Sequence, residues 1–205
     1  MKDIYIVDNF YQNAQKIREI ALKTEYIDFG VEQNFPGKES VKSFYSPDII
    51  RTFEKIVGHT IEVNPQKNIF GKFRCSLESD NAPTSVHLDY SVQWTGVVYL
   101  SLDEHIKGSL GIYKFKELDM SEAPSESQLV KYNCNNIREF DSRYIYPNSK
   151  NFDAWETLND IPIKFNRLIL FKGSKYFHSI QDQFGDSIEN GRLTQNFFFN
   201  VKRDN

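Results

Sequence analysis

The feature that most constrains the fold is a series of short, strand-like segments that begins at residue 61. Eight such segments, rich in β-branched and aromatic residues, follow one another with turn residues between them. This number of short strands predicts two sheets packed face to face, as in a β-sandwich or jelly roll. The predicted strands cover residues 61–63, 69–78, 85–90, 95–102, 110–115, 163–171, 176–181 and 192–201.

Two amphipathic helices are predicted before these strands. Apolar residues recur every three or four positions in both segments, which gives each helix one apolar face. The first helix is expected at about residues 12–23. The second is bounded by Ser46 as N-cap, Pro47 at the first helical position and Gly58 at the C-terminal cap. We therefore expect N-terminal helices, within about residues 11–58, to pack outside the sheets.

The length of 205 residues suits one domain with a substantial core. We expect a single domain over residues 1–205, with a β core of about residues 61–201. Between residues 116 and 160 the periodicity is weak and the composition polar, which is typical of an insertion or a lid.

Charge and composition restrict the partners. The net charge is −3 and no basic stripe is present, so neither nucleic acid nor an anionic membrane is expected as the main partner. Cys75 and Cys134 have no metal-ligand spacing and form no disulfide framework. Residues 1–7 are too short and too charged for a signal peptide, and no apolar run approaches membrane-spanning length. We therefore expect a cytoplasmic protein; the sequence does not predict its oligomeric state.

A candidate metal site is indicated by His87, Asp89 and His178. Residues two apart in a strand point to the same face, so the imidazole of His87 and the carboxylate of Asp89 can reach one ion. His178, in a later predicted strand, would complete the set. Two histidines and one carboxylate with open coordination positions are typical of non-haem Fe(II) oxygenases.

Alternatives to this site remain open at the level of sequence. A His-x-Asp pair arises often by chance, so the pair alone is a weak signal. The same ligands would also accept Mn(II), Co(II) or Ni(II). The other two histidines, His59 and His105, follow a predicted helix end and lie in a predicted turn, so we do not expect them to bind the metal.

Arg192 and Thr194 alternate on one face of a strand that is otherwise rich in phenylalanine. A guanidinium in such a strand needs a partner, because an unpaired buried charge is costly. The carboxylate of an acidic co-substrate, held through two nitrogens, would provide one. The alternative is an ion pair with an aspartate or glutamate of the chain itself.

These residues, in this order, resemble the Fe(II)/2-oxoglutarate-dependent oxygenase superfamily, on its prolyl-4-hydroxylase-like side. The resemblance spans roughly residues 4 to 201 and looks closest to a little-characterised branch of bacterial and phage members. The segments that carry it are His87-Leu88-Asp89, Trp94-Thr95-Gly96-Val97-Val98-Tyr99-Leu100, Asn166-Arg167-Leu168, Tyr176-Phe177-His178-Ser179 and Gly191-Arg192-Leu193-Thr194.

The resemblance implies a double-stranded β-helix, or cupin-like jelly roll, with Fe(II) held by the three candidate ligands. It implies that Arg192 and Thr194 bind 2-oxoglutarate, and that Tyr99 lies near this co-substrate. The activity implied is a dioxygenase that consumes O2 and 2-oxoglutarate, releases succinate and CO2, and hydroxylates a peptide, a protein side chain or a small amino-acid-like molecule. Phe73-Arg74-Cys75 departs from the family pattern, where prolyl hydroxylases often have a co-substrate tyrosine, and Ser109-Leu110-Gly111 replaces a more usual Gly-Gly pattern. These departures weaken an assignment of proline as the substrate.

Three further residues are candidates for contact with the substrate. Arg74 lies on the more polar face of its predicted strand and would hold an anionic group, or else lie on a solvated face. Tyr90 follows the aspartate ligand and would line the opening of the site. Trp94 is equally consistent with a substrate platform and with the core.

Two other functions remain possible from the sequence. One is a cupin-like metal dioxygenase that does not use 2-oxoglutarate. The other is a non-catalytic binding module on the same fold.

Overall fold

The computed structural model describes residues 3–30 and 34–202, so the predicted domain of residues 1–205 extends beyond the described residues. The helices are α1 (Ala14–Lys23), α2 (Pro47–Val57), α3 (Glu126–Lys131) and α4 (Ile137–Phe140). The strands are β1 (Ile4–Val7), β2 (Tyr26–Ile27), β3 (Lys38–Ser40), β4 (Ile61–Glu62), β5 (Phe70–Ser76), β6 (Trp94–Tyr99), β7 (Ser109–Phe115), β8 (Trp155–Pro162), β9 (Leu168–Phe171), β10 (Phe177–Ile180) and β11 (Arg192–Val201).

The larger sheet has eight antiparallel strands in the order β1-β9-β6-β11-β5-β3-β2, with β4 paired to β11. β11 is central and pairs with β6 on one side and β5 on the other. Because side chains alternate along a strand, its polar residues Arg192, Thr194 and Asn196 share one face, and Leu193 and Phe197 share the other. The polar face is directed towards the second sheet.

The smaller sheet has three antiparallel strands in the order β10-β7-β8. His87 joins this sheet through an isolated bridge to His178 in β10. From β5 to β11, the chain passes back and forth between the two sheets, which is the arrangement of a double-stranded β-helix. The predicted fold, mainly β with two helices packed outside, is confirmed.

The two long helices cover the apolar face of the larger sheet. Phe53 of α2 is fully buried, with its ring 4.9 Å from that of Phe197 and 5.2 Å from that of Phe199. Full burial of one such side chain stabilises a fold by roughly 1.5–3 kcal/mol. Helix α2 starts at Pro47 and is capped by Gly58 in the left-handed conformation, as the sequence predicts. In the described part of the chain, no helix is both long and apolar enough to span a bilayer.

The segment 116–160, predicted as an insertion or lid, is more ordered than its composition indicates. It contains α3 and α4, and it ends in strand β8, which pairs along the whole of β7. The sequence missed β8 because most of its side chains are exposed, so no apolar alternation marks it. The predicted strand 163–171 is correspondingly shorter, at Leu168–Phe171, and the predicted strand 85–90 is reduced to the bridge at His87.

Candidate metal centre

The three candidate ligands meet between the two sheets. Donor atoms of His87, Asp89 and His178 all lie within 4.8 Å of one another. His178 Nε2 is 3.3 Å from one Asp89 oxygen, and His87 Nε2 is 3.7 Å from the other. Adjacent ligands of an ion with bonds of about 2.1 Å stand about 3 Å apart, so the donor set fits one small divalent metal.

The histidine tautomers also suit metal binding. Nδ1 of His87 is 2.8 Å from the carbonyl oxygen of Ser85, and Nδ1 of His178 is 2.8 Å from that of Tyr176. A carbonyl only accepts hydrogen bonds, so each Nδ1 carries the hydrogen when the imidazole is neutral. Each Nε2 then has a free lone pair that is directed at the Asp89 carboxylate. Backbone geometry therefore fixes both rings in the form that binds a metal.

Asp89 is held by groups from two other segments of the chain. The Thr95 hydroxyl donates a hydrogen bond to Asp89 Oδ2, with 2.5 Å between the oxygens. The Asp89 backbone N–H donates to the carbonyl of Gly173 at 2.9 Å. A Cβ atom at position 173 would lie 2.1 Å from Thr95 Oγ1 and 2.8 Å from Asp89 Oδ2. Only glycine therefore leaves room for this carboxylate.

The electrostatics favour a charged Asp89 carboxylate and a neutral His87 imidazole. Burial lowers the pKa of His87, and the neighbouring His178 lowers it further. Burial alone would raise the pKa of Asp89, but His178, His87 and the Thr95 hydroxyl outweigh burial and keep the pKa below its usual range. The shifts thus favour an Asp89 anion and a neutral His87 imidazole, which are protonation states that bind divalent metals.

Arg192 is a buried guanidinium without an anionic partner among the described residues. Its single hydrogen bond to the described residues runs from Nη2 to the Tyr99 hydroxyl, at 3.3 Å. Nε is buried and has no acceptor in the part of the chain that the structure describes. Burial lowers the pKa of Arg192, and burial raises that of Tyr99. The ion pair with an acidic side chain, left open by the sequence, does not occur among residues 3–30 and 34–202.

Thr194 lies two residues beyond Arg192 on the same face of β11. Its hydroxyl oxygen accepts a hydrogen bond from the Asn196 side-chain amide at 3.0 Å. Because the amide occupies one lone pair, the hydroxyl hydrogen can turn towards an anion beside Arg192. Arg192 and Thr194 thus both present hydrogen-bond donors on the cavity face of β11.

A cavity of about 850 Å³ connects the ligands with Arg192. Its volume is in the range of small-molecule sites. Exposed aromatic side chains surround its opening, among them Tyr90, Tyr146 and Phe152. The inner wall of the cavity includes His87, Asp89, His178, Arg74, Thr95, Val97, Phe171, Arg192, Thr194, Asn196 and Phe198.

The three residues predicted to contact a substrate have different positions. Arg74 and Tyr90 line the cavity. Trp94 does not: it is 2% exposed and belongs to the apolar cluster between the larger sheet and the helices. The assignment of Trp94 to the substrate is therefore corrected. The physical reason is strand alternation, which directs Thr95 and Val97 into the cavity and Trp94 away from it.

Sequence reasoning missed Thr95, Gly173 and Glu39. Glu39, from β3, pairs with Arg74 inside the fold. The alternation of β6 could have indicated that Thr95 shares a face with Tyr99. No local signal marks Gly173 or Glu39, since each depends on contacts far along the chain.

Together, the fold and the clustered ligands define a double-stranded β-helix protein with a candidate mononuclear metal centre. The chain belongs to a family of unknown function, DUF6445, whose model matches residues 1–199. No curated protein matches the chain.

Among solved structures, the chain is similar to HygX from Streptomyces hygroscopicus, a structure with nickel and 2-oxoglutarate bound. The TM-score is 0.52 at 12% sequence identity, over 96% of this chain and 82% of HygX. A Pseudomonas putida prolyl-4-hydroxylase has a TM-score of 0.49 at 11% identity, over 98% of this chain and 94% of that protein. At this identity the likeness to HygX shows a common fold, and fold alone does not determine activity.

Proposed function

We propose that this protein is an Fe(II)- and 2-oxoglutarate-dependent dioxygenase. The proposal rests on one observation: a single cavity contains two groups of residues that each lack a ligand. One is a set of three metal ligands, and the other is the buried Arg192, which has no anionic partner among the described residues. A ligand with a metal-chelating end and a distal carboxylate would complete both, and 2-oxoglutarate has this form.

Each residue has a defined part in this proposal. His87, Asp89 and His178 would hold the metal and leave its remaining positions open to the cavity. Arg192 would bind the distal carboxylate of 2-oxoglutarate through two nitrogens, and Thr194 would donate its hydroxyl hydrogen to the same group. Tyr99 would hold the guanidinium in position by accepting a hydrogen bond from Arg192 Nη2.

Fe(II) and 2-oxoglutarate, when bound, would supply the oxidising chemistry: 2-oxoglutarate and O2 would give succinate and CO2, with one oxygen atom in succinate and the other inserted into a C–H bond of the substrate. The chain contributes position and exclusion of water. Phe171, fully buried with its ring 4.7 Å from that of His178, shields one ligand from solvent.

The substrate would be a small amino-acid-like molecule, a peptide or a protein side chain. The residues 1–205 would act as a single catalytic domain. HygX, with nickel and 2-oxoglutarate bound, supports the choice of co-substrate only through its shared fold.

The test is spectroscopic and chemical. Anaerobic addition of Fe(II) and 2-oxoglutarate should give a weak visible charge-transfer band, and aerobic incubation should convert 2-oxoglutarate to succinate. His178→Ala should abolish both signals. The control His59→Ala, at an exposed histidine beyond α2, should change neither.

The other outcomes have defined meanings. A metal-loaded protein that gives neither the band nor succinate contradicts the proposal. Oxygen consumption without succinate would indicate a metal dioxygenase that does not use 2-oxoglutarate. Metal binding without any turnover would indicate a binding module.

A further inference from the structure

Arg74 is a second cationic residue of the cavity wall. It lies on β5 directly opposite Thr194 of β11, and therefore on the same inner face as Arg192. Its side chain is 17% exposed. A guanidinium this deep in a cavity needs either an internal partner or a ligand.

The internal partner satisfies only part of Arg74. Nε donates to Glu39 Oε2 at 2.9 Å. Within residues 3–30 and 34–202, neither terminal nitrogen, Nη1 or Nη2, donates a hydrogen bond. The pair of nitrogens that matches the geometry of a carboxylate is thus available to a ligand.

The plane of the guanidinium is fixed before any ligand binds. The Phe35 ring lies against it, with 3.7 Å between Cζ and the ring centroid, and Phe198 lies 5.5 Å away. Glu39, 4% exposed, holds the remaining edge. A group held in this way loses little conformational freedom on binding, which favours affinity.

Arg74 serves a different part of the cavity from Arg192. Along the inner face of β11 the order is Arg192, Thr194, Asn196, Phe198, and the Arg74 head group lies near the Phe198 end. Phe198 pairs with Thr95, which bonds to the metal ligand Asp89. The Arg74 head group is therefore directed along this face towards Phe198 and Thr95, the end nearer Asp89, rather than towards the Arg192 end.

The net charge around Arg74 also favours an anionic ligand. We define the Arg74 cluster as Arg74, Lys72 and Glu39; Glu39 accepts from Lys72 at 3.0 Å as well as from Arg74. The cluster holds two cations and one anion. The charges of a divalent metal, Asp89, 2-oxoglutarate and Arg192 cancel in the loaded site. Among these groups one positive charge remains, on the Arg74 cluster, and the other two charged residues that line the cavity in the described part of the chain, Asp141 and Lys150, are of opposite sign.

We propose that the primary substrate carries a carboxylate that binds Nη1 and Nη2 of Arg74. The inference rests on the proposed function, because it takes the co-substrate to occupy Arg192. A monoanion balances the cluster, whereas a phosphate dianion would exceed its charge. Phe35 and Phe198 provide apolar surfaces for the carbon atoms that adjoin this carboxylate.

The experiment compares matched acids and amides on the iron-loaded, full-length protein. The probes are the free L-amino acids, their C-terminal amides, and tripeptides with a free or an amidated C-terminus. Stimulation of succinate formation is measured as kcat/KM. We expect free carboxylates to stimulate succinate formation. For the matched amides kcat/KM should be lower by about 30-fold or more, because an amide removes one partner of a buried charge pair. The tripeptides distinguish a small acid from a peptide terminus as the source of the carboxylate.

Variants of Arg74 identify the residue responsible. Relative to the wild type, Arg74→Gln should lower kcat/KM for the best acid by a similar factor. For the matched amide, kcat/KM should be the same in Arg74→Gln and in the wild type. Arg74→Lys should restore part of the value, since it keeps the charge but not the paired nitrogens. The control Arg51→Gln, at an exposed arginine of α2, should change nothing. If Arg74→Gln does not fold, the acid–amide comparison on the wild-type protein and on Arg74→Lys still decides.

Three results would overturn the inference: amides as effective as acids, no stimulation by any carboxylate, or equal losses for acid and amide in Arg74→Gln. The charge-transfer band of the wild-type protein distinguishes these three results from a failure of the proposed function. If the band and basal succinate are present, only the assignment of Arg74 fails. If they are absent, the proposed function fails first.

Discussion

The Thr95 hydroxyl donates to the Asp89 carboxylate across 2.5 Å, from the larger sheet to the loop that carries the ligand. This hydrogen bond leaves the other Asp89 oxygen on the side of His87. A hydrogen bond of this kind orients a ligand and keeps it charged. Thr95 therefore positions the Asp89 carboxylate, which we propose as a metal ligand, without binding the metal itself.

Thr95→Val tests this relationship with nearly unchanged side-chain volume. We expect Ni(II) affinity at neutral pH to fall by about 10- to 100-fold, because the carboxylate loses its fixed orientation. Isothermal titration with Ni(II) measures the change. Thr84→Val is the matched control, since Thr84 lines the same cavity and does not contact Asp89. Equal affinities for wild type and Thr95→Val would refute the positioning role.

Gly173→Ala is expected to displace the carboxylate by steric contact. The new methyl group would overlap Thr95 Oγ1 at 2.1 Å, so either Thr95 or Asp89 must move. We predict a loss of Ni(II) binding while the far-ultraviolet circular dichroism spectrum stays native. Gly58→Ala is the contrasting variant, because a Cβ at position 58 would have no atom within 4 Å. The φ of +75° at this position is unfavourable for alanine, so this variant should be about 1 kcal/mol less stable than the wild type. It should bind Ni(II) as the wild type does.

Arg192→Gln is expected to weaken 2-oxoglutarate binding without loss of metal affinity. Removal of one partner of a buried charge pair costs about 2–5 kcal/mol, so the Kd should rise at least about 30-fold. Tyr99→Phe removes a single hydrogen bond and should raise the Kd by only about 2- to 10-fold. Displacement titrations on the Ni(II)-loaded protein measure both. A Kd unaffected by Arg192→Gln would show that the co-substrate carboxylate lies elsewhere.

Asp3 is expected to make the stability depend on pH in acid. Hydrogen bonds from Lys175, with Lys172 as a second cation, lower the pKa of Asp3 from 3.8 to about 2. A carboxyl whose pKa is lower in the folded state stabilises the fold above the unfolded pKa, and this stabilisation is lost as the pH falls from about 4 to 2. Because the ion pairs are partly exposed, we expect about 1 kcal/mol.

Asp3→Asn should therefore unfold at lower urea concentration than the wild type at pH 5 and at a similar concentration at pH 2. The control Asp153→Asn, at an exposed position, should follow the wild type at both pH values. A difference between Asp3→Asn and wild type that persists unchanged to pH 2 would contradict the assignment.

Local patterns predicted a large part of the fold. The apolar periodicity and the Pro47 and Gly58 signals predicted α2 almost to the residue, because both residues act within one turn; Ser46 occupies the N-cap position without a side-chain cap hydrogen bond. Strand β8 was missed because its exposed side chains leave no periodic signal. Trp94 was ambiguous because a one-residue shift in strand phase decides whether a side chain faces the cavity or the core.

For the site, the sequence by itself determined the kinds of donor and their order: His87 and Asp89 two residues apart, His178 later, and Arg192 alternating with Thr194. The alternation of Arg192 and Thr194 follows from the strand repeat, which is a local property of the backbone. Only the tertiary structure decided that His87 bridges to His178, that Gly173 and Thr95 enclose Asp89, and that Glu39 orients Arg74. These contacts join residues far apart in the chain, and they form only when the two sheets and the loops between them close around one cavity.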